Sequence, residues 1–417
     1  MSGRSLFLHG AEQILRPPAD GLPWLRGDEI SAQSLEPGDL VVHDGLIAGR
    51  ESDPEAEIVV DARGCAVVPG FVDCHTHLPF AGWRAAEYEQ KLGGVGYESI
   101  SRSGGGIAAS AQALAESSDE AVLAQAGELA AEMLAAGTTT FETKSGYGLS
   151  REGELRALRL ARELGPLVPQ TTLSTGLLAH AVPPGFTADQ WMAEVEAMMP
   201  EVLATGGISA LDIFVESIAF DNHHLERMGA LAAAGGLALR AHVEQFASHR
   251  SVPVALAAGA RSVDHLSMLA PQDVPALAAA ACAAVLLPVA EFMGAEHRAP
   301  GRALLDAGAL VVLATDANPG TSPVVSIPLV VGLGARLYQL SVRETLAAVT
   351  LNAAWTLGLE RTLGSIEPGK QADLLLLDGP VERIAYRLGR NPVLAAFIAG
   401  DPVYVRDAAA AARITRR

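Results

Sequence analysis

The chain has 417 residues, of which 49% are hydrophobic, so it can bury a large core and form one large domain with a smaller one beside it. Its formal net charge of -18 argues against binding to nucleic acid or to an anionic membrane, because both would repel it. Three cysteines are too few for a disulfide framework, and the N-terminal residues lack a signal-peptide apolar segment, so we expect a cytoplasmic protein without a membrane span.

The pattern of the chain changes twice along its length. Residues 1–63 form short β-like segments separated by turn residues, and similar segments return in 362–417. Between them, over 64–361, short apolar runs alternate with longer Ala-, Leu- and Glu-rich segments of helical periodicity. This order predicts a (β/α)8 TIM-like barrel over 64–361 and a small β-sandwich built from both chain ends.

Eight candidate strands can be counted in the predicted barrel. They cover 66–73, 138–144, 171–180, 211–216, 237–244, 261–266, 283–290 and 310–316. A doubly wound open sheet is the alternative, but no G-x-G-x-x-G turn follows an early strand. Because the loops after the strands of such a barrel converge at one rim, residues at strand ends are the candidates for an active site.

Five of the eleven histidines lie near the ends of these strands. They are His75, His77, His180, His242 and His265. His75 and His77 are two residues apart in an extended segment, so both imidazoles point to the same side. An isolated H-x-H pattern is more often an ordinary pair of histidines, but here His242 and Asp316 lie at the same rim. Together the four favour one metal ion, zinc first and iron as the alternative, with a position left for water.

The chain contains only three lysines, Lys91, Lys144 and Lys370. Many metal hydrolases of this architecture hold two ions through a carboxylated lysine at the end of the fourth strand. The fourth candidate strand here ends without a lysine, which favours a single ion. Lys144 follows the second strand, and the sequence leaves open whether it forms a structural ion pair or takes part in the site.

Eight segments carry a more specific signal, namely PGFVDCHTHLPFAGWRAAEYE, GGVGYESISRSGGGI, TTTFETKSGYGL, DIFVES, AHVEQF, SVDHL, LLPVAEF and ATDANPGTS. With these segments the chain resembles the imidazolonepropionase family of the amidohydrolase superfamily. The H-x-H pair and the segment GSIEPGKQADLLLLD identify only the superfamily, whereas ETKSGYGL, FAGWR and SGGGI are particular to the family. The resemblance implies hydrolysis of 4-imidazolone-5-propanoate to N-formimidoyl-L-glutamate, a step of histidine degradation.

The resemblance also implies roles for individual residues. The metal ligands would be His75, His77, His242 and Asp316, and the residues lining the substrate pocket would be Arg84, Tyr97, Tyr147, His180, Gln245, Asn318, Gly320 and Thr321. We expect Asp316 to act as the base and His265 to orient the nucleophile or stabilise an oxyanion. Arg84 supplies the cation that a propanoate tail needs in an acidic protein, since a guanidinium can bind a carboxylate through two hydrogen bonds.

Two positions differ from those of many family members. Gln245 stands where some carry glutamate, and Thr321 where serine is common. Gln245 can still donate and accept hydrogen bonds toward a cyclic amide, but it cannot take up a proton.

The nearest alternative function is that of another deaminase or cyclic-amide hydrolase of the superfamily, acting on a related carboxylate-bearing heterocycle. A non-catalytic scaffold is a further alternative, but it should lack ligands, and none is missing. We expect a small anionic substrate as the partner, and a homodimer is a possible assembly.

Overall fold

The computed structural model describes residues 5–49, 52–294 and 296–417. Its strands are β1 (Ser5–Arg16), β2 (Ser34–His43), β3 (Leu46–Gly49), β4 (Ile58–Asp61), β5 (Ala66–Pro69), β6 (Phe71–Asp73), β7 (Thr138–Lys144), β8 (Thr171–Ala179), β9 (Ile208–Val215), β10 (Ala238–Val243), β11 (Ala260–His265), β12 (Ala283–Leu286), β13 (Leu310–Leu313), β14 (Leu374–Leu377), β15 (Val393–Ile398), β16 (Asp401–Val405) and β17 (Ile414–Arg416).

Its helices are α1 (Asp28–Ser31), α2 (Ala85–Leu92), α3 (Tyr97–Arg102), α4 (Ile107–Glu116), α5 (Asp119–Ala135), α6 (Arg151–Leu164), α7 (Ala188–Thr205), α8 (Asn222–Gly235), α9 (Ser251–Ala257), α10 (Val274–Ala279), α11 (Pro288–Phe292), α12 (Gly301–Asp306), α13 (Ile327–Tyr338), α14 (Val342–Ala348), α15 (Leu351–Thr356), α16 (Arg383–Tyr386) and α17 (Ala408–Ala411), with two 3-10 turns at Gly165–Leu167 and Pro271–Asp273. Within the described residues, no helix has the length and apolar character needed to cross a membrane.

Strands β6 to β13 form an eight-stranded parallel sheet in which each strand pairs with the next along the chain. The sheet nearly closes, because the segment after β13 meets the segment after β6. The N–H of Asp316 donates to the carbonyl of His75 at 3.0 Å, and the N–H of His77 donates to the carbonyl of Ala317 at 2.9 Å. The predicted (β/α)8 barrel is thereby confirmed, and its seam joins the two ends of the predicted ligand set.

Helices cover the outside of the barrel with their apolar faces. Helix α7 begins at a capping box, in which the Thr187 hydroxyl accepts from the N–H of Gln190, and it buries Trp191. The largest apolar cluster contains Trp191 together with Leu211 and Val243 of the strands. The side of the strands that faces the helices is therefore apolar, which leaves the polar strand residues for the barrel interior.

Strands β1–β5 and β14–β17 form a separate nine-stranded mixed sheet, here called the end sheet. β5 pairs with β1 from the N-terminal part and with β14 from the C-terminal part, so both chain ends contribute to one domain, as predicted. The domain boundaries at 63/64 and 361/362 stay predictions.

The structure differs from the predicted first barrel strand, 66–73. Ala66–Pro69 belongs to the end sheet, and only Phe71–Asp73 belongs to the barrel. The chain changes sheets at Gly70, where a Cβ atom would overlap the side chain of Thr139. The apolar run is continuous through Gly70, so its periodicity could not indicate where one sheet ends and the next begins.

Candidate active site

Three histidines meet at the carboxyl end of the barrel strands. His75 and His77 follow β6, and His242 lies in β10. Their ligand-type atoms lie within 4.8 Å of one another, and all three side chains are buried. Oδ1 of Asp316 lies 3.1 Å from Nε2 of His77 and 3.6 Å from Nε2 of His75. The structure thus brings the four predicted ligands together.

Several buried atoms of this group have no hydrogen-bond partner among the described residues. They are Nε2 of His75, Nδ1 of His77, Nε2 of His242 and both carboxylate oxygens of Asp316. Leaving a buried polar atom unpaired costs about 1–3 kcal/mol, so such a cluster needs another partner. Imidazole nitrogens and a carboxylate are the donors that divalent metal ions bind, and the arrangement fits such an ion.

Two of the histidines are held from behind by carboxylates. Oδ2 of Asp264 lies 2.6 Å from Nδ1 of His75, and Oδ1 of Asp212 lies 3.0 Å from Nδ1 of His242. Such contacts place the proton on Nδ1 and direct the lone pair of Nε2 toward the centre. The sequence analysis missed both aspartates, although a carboxylate inside an apolar strand, in DIFVES and SVDHL, was a usable signal.

Burial keeps His75, His77 and His265 uncharged. It lowers the pKa of His75 and His77 well below the usual value, and it lowers the pKa of His265 to about 3. A neutral imidazole has a free lone pair, which both metal ligation and hydrogen-bond acceptance require. Burial raises the pKa of Asp316, a shift that a bound cation would oppose.

The two predicted catalytic residues have a strained backbone. Asp316 has φ 55° and His265 has φ 80°, both in the left-handed region that non-glycine residues rarely adopt. Such conformations cost on the order of 1–3 kcal/mol each and cluster at functional sites. The seam hydrogen bond from Asp316 to the carbonyl of His75 helps to hold the first of them.

Arg84 lies just before α2 and is 9% exposed. Its Nε and Nη1 atoms are buried without a hydrogen-bond partner, and the carboxylate of Glu87 is 3.6 Å from Nε. The guanidinium packs over Gly320, where any Cβ atom would overlap it. Gly320 therefore contributes through its lack of a side chain, and Arg84 retains hydrogen-bonding capacity for an anion.

Asn318 organises the loop that carries Gly320. Its Oδ1 accepts from the N–H of Gly320 at 2.9 Å and from the N–H of Thr321 at 2.7 Å. Its Nδ2 donates to the carbonyl of Asp316 at 2.6 Å. These bonds use most of the side chain's capacity inside the loop, so a direct substrate contact of Asn318 stays a prediction.

Gln245 follows β10 in a loop that a buried carboxylate holds. Oε1 of Glu216 accepts from the N–H of Gln245 at 2.9 Å and from the N–H of Phe246 at 2.7 Å. On the other side, His180 stacks on His77 at 5.2 Å between ring centroids, and its Nδ1 lies 3.1 Å from the carbonyl of Gly146. The loop after β10 and the side chain of His180 are thus each held by a residue outside the cavity lining.

Most of the predicted site residues, but not His75 or Gly320, line a cavity of about 30 Å³. Its lining comprises His77, Arg84, Ile107, Tyr147, His180, Phe214, His242, Gln245, Phe246, His265, Asp316, Asn318 and Thr321. A wider cleft of about 540 Å³ shares Gln245, Phe246, His265 and Thr321 with it. Tyr97 begins α3, but its side chain lies outside the described part of the structure. The sequence analysis missed the apolar walls, since nothing distinguishes Ile107, Phe214 or Phe246 from core residues.

Comparison with known proteins places the chain in the family that its motifs resemble. A model of the amidohydrolase family matches residues 66–403. The chain is 42% identical to the imidazolonepropionase of Rubrobacter xylanophilus, a match that covers 96% of this chain and 99% of that protein. It is 41% identical to the imidazolonepropionase of Agrobacterium fabrum, with 96% of each chain covered.

Solved structures are similar in fold. An adenosine deaminase from Xanthomonas campestris with bound zinc matches with a TM-score of 0.67 at 20% identity, over 98% of this chain and 96% of that one. The guanine deaminase of E. coli matches with a TM-score of 0.68 at 16% identity, over 97% and 99%. The sequence relatives carry the finer assignment and confirm the predicted resemblance: the chain belongs to the amidohydrolase family and, within it, to the imidazolonepropionases.

Proposed function

We propose that this chain hydrolyses 4-imidazolone-5-propanoate to N-formimidoyl-L-glutamate, with one metal ion held by His75, His77, His242 and Asp316. The observation that carries the proposal is a pairing within one cavity. Ligands of the proposed metal site with unpartnered atoms line this cavity, and so does Arg84, whose buried guanidinium has unpartnered nitrogens. A substrate that combines a cyclic amide with a carboxylate tail matches both groups.

The reaction adds water to the ring carbonyl carbon, breaks the bond from that carbon to the ring nitrogen, and leaves a new carboxylate and a protonated nitrogen. When bound, the ion supplies Lewis acidity. Zinc suits the donor set of three imidazoles and one carboxylate, with iron as the alternative.

The residues of this chain supply the proton transfers and the orientation. Asp316 accepts a proton from the attacking water and passes it to the leaving nitrogen. Neither of its buried carboxylate oxygens has a hydrogen-bond partner among the described residues, so one could take the proton while the other held the ion. His265 is neutral and lines the same cavity, where it orients water or stabilises charge at the ring oxygen.

Arg84 binds the propanoate carboxylate and thereby fixes the ring relative to Asp316. Gln245 lies in the same wall and offers an amide to the polar edge of the ring. Tyr97, Tyr147, His180, Asn318, Gly320 and Thr321 complete the proposed pocket. In this scheme Gln245 is not needed as a base, because Asp316 takes that role.

The test is to add purified protein to freshly prepared 4-imidazolone-5-propanoate and to follow the loss of its ultraviolet absorbance. We expect decay with metal-replete protein, none after chelation, and recovery when zinc or ferrous iron is returned. Ammonia is measured in parallel, because ring opening releases none whereas a deaminase does. Metal-independent decay, ammonia release or the absence of any decay would each contradict the proposal.

A further inference from the structure

A continuous series of hydrogen bonds lies below the proposed metal site and joins two of its ligands. It runs from His75 through Asp264, Arg240, Glu142, Lys144 and Asp212 to His242, and we call it the ionic arc. The five residues between the histidines come from four barrel strands, β7, β9, β10 and β11. None of the five is more than 1% exposed.

Each connection in the ionic arc is a direct contact. Arg240 donates through Nη2 to Asp264 at 3.0 Å and through Nη1 to Oε1 of Glu142 at 2.5 Å. Lys144 donates through Nζ to Oε1 of Glu142 at 3.1 Å and to Oδ2 of Asp212 at 2.7 Å. Asp212 uses its other oxygen for His242, so one carboxylate bridges the ammonium and the imidazole.

The arrangement of charges explains how these groups tolerate burial. Three carboxylates alternate with two cations, so each cation lies between two opposite charges. Burial alone would lower the pKa of Lys144, but the negative charges of Asp212 and Glu142 outweigh it, and the pKa is raised. Removing one partner of a buried pair leaves an uncompensated charge, which is more costly than the loss of an exposed pair.

We propose that Lys144 and Arg240 are positioning residues for the metal site, and that the ionic arc sets the orientation of His75 and His242 relative to each other. Lys144 reaches His242 only through Asp212, yet a change at Lys144 should weaken metal binding. The inference rests on the proposed metal site and goes beyond its ligands. On this proposal Lys144 has both of the roles that the sequence left open. It forms structural ion pairs, and these ion pairs orient a ligand of the metal site.

The test compares two buried lysines. Lys144→Met removes the ammonium of the ionic arc and keeps most of the side chain's volume. Lys370→Met is the matched control, because Lys370 is 6% exposed and donates to Ser365 at 2.6 Å beside Glu367 at 2.8 Å, next to the end sheet. Both variants should lose thermal stability, so stability alone does not distinguish them.

Metal affinity is the distinguishing measurement. Zinc binding is measured by competition with a chelator of known affinity, and cobalt-loaded protein reports ligand geometry through its visible absorption bands. Lys144→Met should bind zinc roughly 10- to 100-fold more weakly and shift the cobalt bands, as changes in outer-shell partners of metal ligands do. Lys370→Met should leave both unchanged.

A milder substitution covers the case in which Lys144→Met does not fold. The Thr175 hydroxyl donates to Oε1 of Glu142, so Thr175→Val removes one hydrogen bond from the centre of the ionic arc and leaves all of its charges in place. It should weaken zinc binding several-fold. Unchanged zinc affinity and cobalt bands in Lys144→Met, or in Thr175→Val if the former is unfolded, would overturn the role of the ionic arc. Failure of the unaltered chain to bind zinc, iron or cobalt would instead overturn the metal site itself.

Discussion

The metal side and the substrate side of the active-site cavity are built differently. On the metal side, His75, His77, His242 and Asp316 are at most 3% exposed and lie on strands or at the barrel seam. On the substrate side, Phe246 is 39% exposed, and α2, which directly follows Arg84, has no buried residue. A strand and the seam segments directly after two others carry the first side, and loops carry most of the second.

This difference assigns the proposed chemistry to the metal side and the proposed substrate specificity to the loops. Barrel strands fix the ligands and their supporting carboxylates to one another, so the metal side can serve many substrates on the same architecture. The loops depend on a few local contacts, such as Glu216 below Gln245 and Asn318 beside Gly320. We therefore expect a change of substrate to depend mainly on changes in the loops.

The largest effect should come from the metal side. Asp316→Asn keeps the size and one oxygen of the side chain but removes its ability to take up a proton. We expect kcat to fall roughly 10²- to 10⁴-fold, the usual contribution of a general base. Bound zinc should largely remain, because three imidazole ligands persist. Steady-state kinetics and metal analysis measure the two effects.

An exposed carboxylate provides the control for this prediction. Asp306→Asn, at a side chain that is 65% exposed, should leave kcat unchanged. If Asp316→Asn also turned over substrate at the unaltered rate, Asp316 could not be the base.

A smaller effect should follow on the substrate side from Arg84→Met. Hydrogen bonds to charged groups contribute about 1.5–3 kcal/mol, so KM should rise roughly 10- to 150-fold. Zinc content should not change, because Arg84 lies outside the ligand set. Arg84→Lys keeps the charge without the two-pronged geometry and should recover part of the loss. An unchanged KM in Arg84→Met would show that the carboxylate tail is held elsewhere.

The same two sides differ in how far the sequence could predict them. The strand-end rule located His75, His77, His242 and Asp316, because a barrel converts positions along the chain into one rim. The same rule does not indicate the supporting aspartates, because Asp212 and Asp264 lie inside their strands and not after them. Glu142 and Lys144 are two residues apart, as are Arg240 and His242, and this spacing places each pair on one side of its strand.

The residues of the substrate side could be predicted mainly from the resemblance to a known family. Arg84 could be argued from its charge, but the requirement for glycine at position 320 depends on two loops that approach each other from distant parts of the chain. Hydrophobic periodicity says nothing about such an approach. It also could not show that Gly70 separates two sheets, because the residues on either side are equally apolar.

The smallest of these effects should come from Gly320→Ala, which tests whether Gly320 acts through Arg84. A methyl group at position 320 would overlap the guanidinium, so Arg84 must shift. We expect KM to rise by roughly 10-fold, since displacements of about 1 Å can cost up to about 100-fold. Gly127→Ala in α5 is the matched control, because a Cβ atom there meets open space, and KM should stay unchanged.

A double substitution makes this test specific. If Gly320 matters only because it admits the guanidinium, then Gly320→Ala should cost little in a chain that already carries Arg84→Met, and the two effects should not add. Additive losses would mean that the loop at 318–322 contacts the substrate directly. In that case the substrate side would have two independent contacts, and Gly320 would not act by leaving room for the guanidinium of Arg84.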